Sequence, residues 1–194
     1  MPKRPCLASL GSGWLGQLLR VLLALLLPLA ILCSPALAFS ARDLPATVPS
    51  EHVLDQADVL SRASRAELER RLENLREQRV DARLITVTRL DYGLSLDELG
   101  AQLIARWQEQ AEADGTSPLP LLLVLIDSQT KSAAVVASAA LERQLPAALL
   151  RSTALATMAQ PLRQGDRYRQ ASLDAINRLE PVLQGAEEIG RAHV

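Results

Sequence analysis

Three aspartates are the side chains of this sequence best placed to do chemistry. Asp91 follows the β-branched run Ile85–Thr88, Asp127 closes the unbroken apolar run Leu121–Ile126, and Asp114 lies in the loop between them. In open α/β sheets, ligands collect outside the carboxyl ends of parallel strands. Carboxylate oxygens gathered there suit a hard cation such as Ca²⁺ or Mg²⁺. Aspartates also serve turns and helix starts by accepting hydrogen bonds from nearby backbone amides, and for these three both readings stand. Asp55 and Asp58 read as turn and capping residues on the same grounds.

Other chemistry is scarce. The chain has two histidines, His52 and His193, and two cysteines, Cys6 and Cys33. A Ser-His-Asp triad would have to rest on His52, in a Pro-containing lead-in, and the usual Cys/His zinc spacings are missing. No Gly-rich phosphate loop or dinucleotide fingerprint occurs. Arg89 and Lys131 are the only basic residues near Asp91 and Asp127, a meagre clamp for a phosphate. A non-catalytic role is the expectation.

The amino terminus has the three zones of a secretory signal: Lys3 and Arg4, the apolar stretch Val21–Leu32, and the small-x-small pattern Ala36-Leu37-Ala38. Cleavage is expected between Ala38 and Phe39. The leader 1–38 carries three of the 21 Lys+Arg and none of the 22 Asp+Glu, so the mature chain has a formal charge of −4. With no basic run it is not expected to bind nucleic acid. Both cysteines leave with the leader, so the mature fold has no disulfide and rests on its core. At the other end, Glu188–Val194 can be encoded by a common sequencing adapter, which implies an artefact on a truncated chain.

The elements that must position the aspartates follow from periodicity. Residues 39–52, with Pro45 and Pro49, read as an extended leader to a domain spanning 53–187. Ser61 caps a helix to about Gln78 with Leu68, Leu72 and Leu75 on one face, or the capping-box spacing of Ser64 and Glu67 starts it one turn later. Arg83–Leu90 reads as a strand, and Asp91-Tyr92-Gly93 as a turn. Ser95 and Glu98 form a capping box for a helix whose apolar face is Leu99, Leu103, Ile104 and Trp107. Leu121–Ile126 suits a strand buried on both faces, joined by a tight turn to an antiparallel strand Ser132–Ala137. Pro146 opens a helix ending before Pro161, and a last helix runs from about Tyr168 to Leu183. Strand, helix and buried strand make a βαβ crossover. The fold class is therefore α/β, a three-layer α/β/α sandwich around a short mixed sheet.

These pieces resemble a known family. Val53-Leu54-Asp55-Gln56-Ala57-Asp58-Val59-Leu60-Ser61 looks like the opening motif of the TPM-domain family. Arg89-Leu90-Asp91-Tyr92-Gly93, a capped helix ending in Trp107, and Leu121-Leu122-Leu123-Val124-Leu125 resemble its photosystem II branch in cyanobacteria and chloroplasts. Pro161-Leu162-Arg163, followed by Gly165-Asp166-Arg167-Tyr168, resembles the stretch before its last helix. The resemblance implies the same sandwich and an accessory factor in photosystem II protection and repair. Its partners would be photosystem II subunits or assembly and repair intermediates, and its place the thylakoid lumen (or, alternatively, the periplasm). Many members carry a transmembrane helix after the domain, so membrane association through a C-terminal helix beyond the truncation is expected. Plant relatives suggest the alternative of a metal-assisted acid phosphatase. Here the family's usual Asp-Asn-Gly approach to the buried strand is replaced by Gly115-Thr116-Ser117-Pro118-Leu119-Pro120.

Overall fold

The computed structural model describes residues 39–191, with side-chain surroundings through residue 185. The expected signal segment 1–38, with Ala38 of the cleavage pair, and residues 192–194 lie outside the described residues. Four strands form one sheet in the order β1 (Val53–Asp55), β2 (Asp81–Val87), β3 (Leu121–Asp127) and β4 (Ser132–Ala137). The first three run parallel and β4 runs antiparallel to β3. Every residue of β2 and β3 is buried. Helices cover both faces, which is why these strands show apolar runs instead of alternation.

Helix α1 (Arg62–Asn74) starts where expected: the Ser61 hydroxyl accepts the Ser64 amide at 3.1 Å, replacing a hydrogen bond the first turn cannot make for itself. A 3₁₀ turn, Leu75–Gln78, extends it until Arg79 turns left-handed. Leu68, Leu72 and Leu75 pack on the face carrying Val53, Ala82, Leu84 and Val124. Helix α2 (Leu96–Ala113) opens with the Ser95–Glu98 capping box. It buries Leu99, Leu103, Ile104 and Trp107 against the other face, with Ile85, Leu123 and Leu125. Both crossovers step the same way across the sheet, yet their helices cover opposite faces. One of them is therefore left-handed, against the strong general preference.

The α1 face is completed by α3 (Ala147–Ser152), a π-helical stretch Thr153–Met158, α4 (Ala159–Arg163) and α5 (Tyr168–Arg191). The sequence predicts one helix that stops before Pro161; the chain instead continues helical through it. Proline lacks the N–H that would bond four residues back and crowds the carbonyl there. The wide turn just upstream re-registers those carbonyls, and Pro161 packs into the core. The last helix also runs past Leu183, to Arg191.

One strand goes unforeseen in the sequence, and the bounds of another change. β1 has three residues, too few to show a period. β2 begins at Asp81 and ends at Val87, before the expected Leu90. Its partner β3 turns away at Asp127, opposite Val87, so the ladder stops there. Leu90 pairs instead with Phe39 in an isolated parallel bridge.

The lead-in is part of the fold. Phe39 N donates to Arg89 O at 2.8 Å and Asp91 N to Phe39 O at 3.0 Å. Leu44 is 3% exposed. Arg106 of α2 donates to the carbonyls of Ala41, Leu44 and Pro45, and the Trp107 indole N–H also reaches Pro45 O, at 2.9 Å. Residues 39–52 read as extended, but Ala41–Asp43 forms a 3₁₀ turn, and two α2 side chains hold the carbonyls on and after it.

Candidate functional site

The carboxyl ends of β2 and β3 open into a groove of about 670 Å³, lined by Arg89, Asp91, Tyr92, Asp97, Asp127 and Thr130 among others. Asp127 is the last residue of β3 and only 4% exposed. Its Oδ1 accepts the amides of Gln129 at 2.8 Å and Thr130 at 2.9 Å. Those two bonds fold the β3–β4 turn, the Asx geometry by which aspartate substitutes for a backbone carbonyl. Asp91 is exposed in the loop after β2, where its own carbonyl accepts the Leu94 amide at 3.1 Å. Gly93, at φ 83°, makes that turn possible. Tyr92 stands fully in solvent at its tip.

Asp91 and Asp127 therefore share one groove, as their places after neighbouring parallel strands predict. Asp114 does not join them. It caps the end of α2, accepts from Gln110 Nε2 at 3.2 Å, and lines a separate hollow with Asp81, Trp107 and Thr116. The crossover helix runs back against the strands, so its last residue must lie at the amino end of β3, the opposite end of the sheet. Among the described residues no three Asp, Glu, His or Cys side chains converge as a metal site. The expected three-aspartate cage for Ca²⁺ or Mg²⁺ does not fit this geometry. Asp97, on the first turn of α2, is the third carboxylate of the groove. Sequence reading missed it, because its place in the first turn of a helix is its only signal.

His52 also has a place that its lead-in position hid. It is 4% exposed, with Nδ1 2.9 Å from Ala82 O and 3.6 Å from Asp81 Oδ1. Arg83, 3% exposed, pairs with Asp81 and donates to Glu51 O at 2.6 Å. This buried network ties the lead-in to the start of β2, away from the groove. Trp107 is 1% exposed and is core.

Comparison with known proteins agrees with this architecture. A family model described as TPM domain matches residues 53–182. The chain belongs to the TPM-domain family. Among solved structures, the N-terminal domain of a protein from P. gingivalis is similar at 20% identity and a TM-score of 0.66. That match covers 78% of this chain and 96% of the other. The N-terminal domain of the cg2496 protein from Corynebacterium glutamicum is more distant, at 13% identity and a TM-score of 0.47, covering 74% and 85%. No curated protein matches the chain.

Within the TPM domain, the opening motif Val53–Ser61 has a physical reason centred on Asp55. Its side chain is inaccessible to solvent. It accepts the Val59 amide at 3.1 Å, the Leu60 amide at 2.9 Å, the Thr86 hydroxyl at 2.5 Å and Arg65 Nη2 at 3.0 Å. Burial pushes its carboxyl up. The Thr86 hydroxyl, the two amides and Arg65 together outweigh that and hold it below the ordinary carboxylate range. Asp58, at φ 50°, supplies the left-handed turn between β1 and α1. The motif is a device for turning the chain from β1 into α1.

Proposed function

We propose that this TPM domain is a non-catalytic accessory factor of photosystem II protection and repair, working at the lumenal face of the thylakoid membrane. The observation that carries the non-catalytic part is the state of Asp127. The most buried carboxylate of the groove spends Oδ1 on two turn amides, and the residues lining the groove include neither His nor Cys. Arg89 is its one cation, where phosphoryl transfer needs several charges arranged around the transferring group. The assignment to photosystem II is supported by the likeness of Arg89–Gly93, Trp107 and Leu121–Leu125 to that branch, and by the signal-type leader. Its partners are then photosystem II subunits or repair intermediates. Membrane attachment would come from a segment beyond α5; among the described residues no helix is long and apolar enough to cross a membrane.

Deleting the gene in its photosynthetic host tests the reading. Recovery of photosystem II activity after strong light should slow, and both the native gene and Asp127→Asn should restore it. The purified domain should hydrolyse p-nitrophenyl phosphate at background rate, and millimolar calcium should move its melting temperature by less than about 1 °C. Robust turnover abolished by Asp127→Asn would replace this reading with the acid phosphatase. Recovery kinetics unchanged by the deletion would remove the photosystem II assignment.

A further inference from the structure

The two edges of the sheet are treated differently. At β1 the outward Val53 amide donates to Glu69 Oε2 at 2.9 Å, and the adjacent His52 amide donates to Oε1 of the same carboxylate. A helix side chain thus closes that edge. β4, Ser132–Ala137, is the other edge, and its sequence Ser-Ala-Ala-Val-Val-Ala has no charge and no proline. Natural edge strands usually carry such guards, because their free N–H and C=O groups template pairing with another chain.

The β3–β4 register identifies the free groups. Ser138 N donates to Leu121 O at 2.9 Å, and hydrogen-bonded pairs alternate in an antiparallel ladder. Val136, Ala134 and Ser132 therefore bond to β3, while the N–H and C=O groups of Ala133, Val135 and Ala137 point away from it. Beside that edge lies a groove of about 730 Å³ with the β4 residues Ala133–Ala137 on its floor. Asp97 bounds it on one side, and Leu145, Pro146, Leu150 and Leu155 on the other. Leu155 is 64% exposed although it belongs to a helical run packed on the core. Glu142 and Arg151 also line the groove, so with Asp97 its charge is net negative.

We propose that β4 binds an extended segment of a partner protein as a fifth strand, with small apolar residues on alternate positions against Leu155 and basic residues facing Asp97 and Glu142. An extended backbone is the chemistry that satisfies a row of free amides and carbonyls, and pockets for alternate side chains then set specificity. A second copy of this chain fits less well. Its own β4 is walled by the same two flanks, so two recessed edges cannot approach to pairing distance. The inference deepens the accessory-factor reading and rests on it only for the partner's origin.

The test uses three acetylated, amidated heptapeptides of alternating Val and Thr, flanked by Lys, by Thr or by Glu, added to the isotope-labelled domain 39–187. Saturating Lys-flanked peptide should slow amide hydrogen exchange at Ala133, Val135 and Ala137 by about tenfold or more. It should bind more tightly than the Thr- and Glu-flanked peptides. Ala133→Pro removes one outward donor at an edge position where proline is tolerated, and it should weaken binding about tenfold with a native-like spectrum. Glu142→Lys, a surface change, should reverse the charge preference and serves if Ala133→Pro fails to fold. The proposal is overturned if no peptide protects those amides, if protection survives both variants, or if sedimentation shows a dimer through β4. Peptide binding lost in Ala133→Pro with normal high-light recovery would leave the groove real and count instead against its role in photosystem II repair.

Discussion

Asp55 is the residue on which the junction of β1, α1 and β2 depends. Its folded carboxyl titrates below its unfolded value of about 3.9, because four donors favour the charged form over the cost of burial. The stability it contributes is therefore fully present above pH 4 and is lost as pH falls through the lower folded value. Asp55→Asn should cost about 1.5–3 kcal/mol at pH 7, as expected for hydrogen bonds to a buried charge. It should also flatten the decline in stability as the pH falls below about 4, as followed by urea unfolding. Parallel pH profiles for the two proteins would show that Asp55 is dispensable. The motif around Asp55 was readable as turn chemistry. Its four donors were not, since Thr86 lies on a strand that only the parallel β1–β2 pairing brings alongside.

At the scale of elements, the contact between α2 and β4 turns on Gly100. A β-carbon there would lie 2.7 Å from Val136 Cγ2 and 3.1 Å from Leu125 Cδ1. Glycine costs a helix about 1 kcal/mol relative to alanine, so Gly100→Ala would stabilise α2 in isolation. In the folded domain the clash with a stiff valine should dominate, giving a net loss of about 1–2 kcal/mol. Val136→Ala in the same protein should recover most of that loss in a double-mutant cycle. An additive result would mean the layers simply move apart. Helix faces were legible from sequence: Leu68, Leu72 and Leu75, then Leu99, Leu103, Ile104 and Trp107, are buried as their spacing predicts. Less legible was how the helical run from Ala147 crosses Pro161, because the π-helical stretch Thr153–Met158 just upstream has no signal in local spacing.

For the whole molecule, the lead-in makes the domain larger than the family match. Residues 39–52 cover Trp107 and Leu54 with Leu44 and bridge through Phe39 to Leu90, in the segment after β2. A domain beginning at Val53 should be less stable than one beginning at Phe39 by about 3 kcal/mol, the scale of burying one or two large apolar side chains. Trp107 is the only tryptophan after residue 14, so its emission should shift to the red in the shorter protein. Equal melting temperatures and unchanged emission would show that the lead-in is not structural.

By itself the sequence determined the elements that depend on local spacing. These are the α/β class, two capped helices, a strand buried on both faces, and the tight Asp127–Thr130 connection. Local hydrogen bonding and the burial of apolar faces act within a few residues, so they can be read along the chain. Only the tertiary structure decided which distant residues meet. It put α1 and α2 on opposite faces through crossovers of opposite hand, drew His52 into a buried network with Asp81 and Arg83, and left β4 open while Glu69 closed β1. It also separated Asp114 from Asp91 and Asp127 by the length of the sheet. A crossover helix must return antiparallel to the strands it joins, so loops adjacent in sequence come out at opposite ends of the molecule.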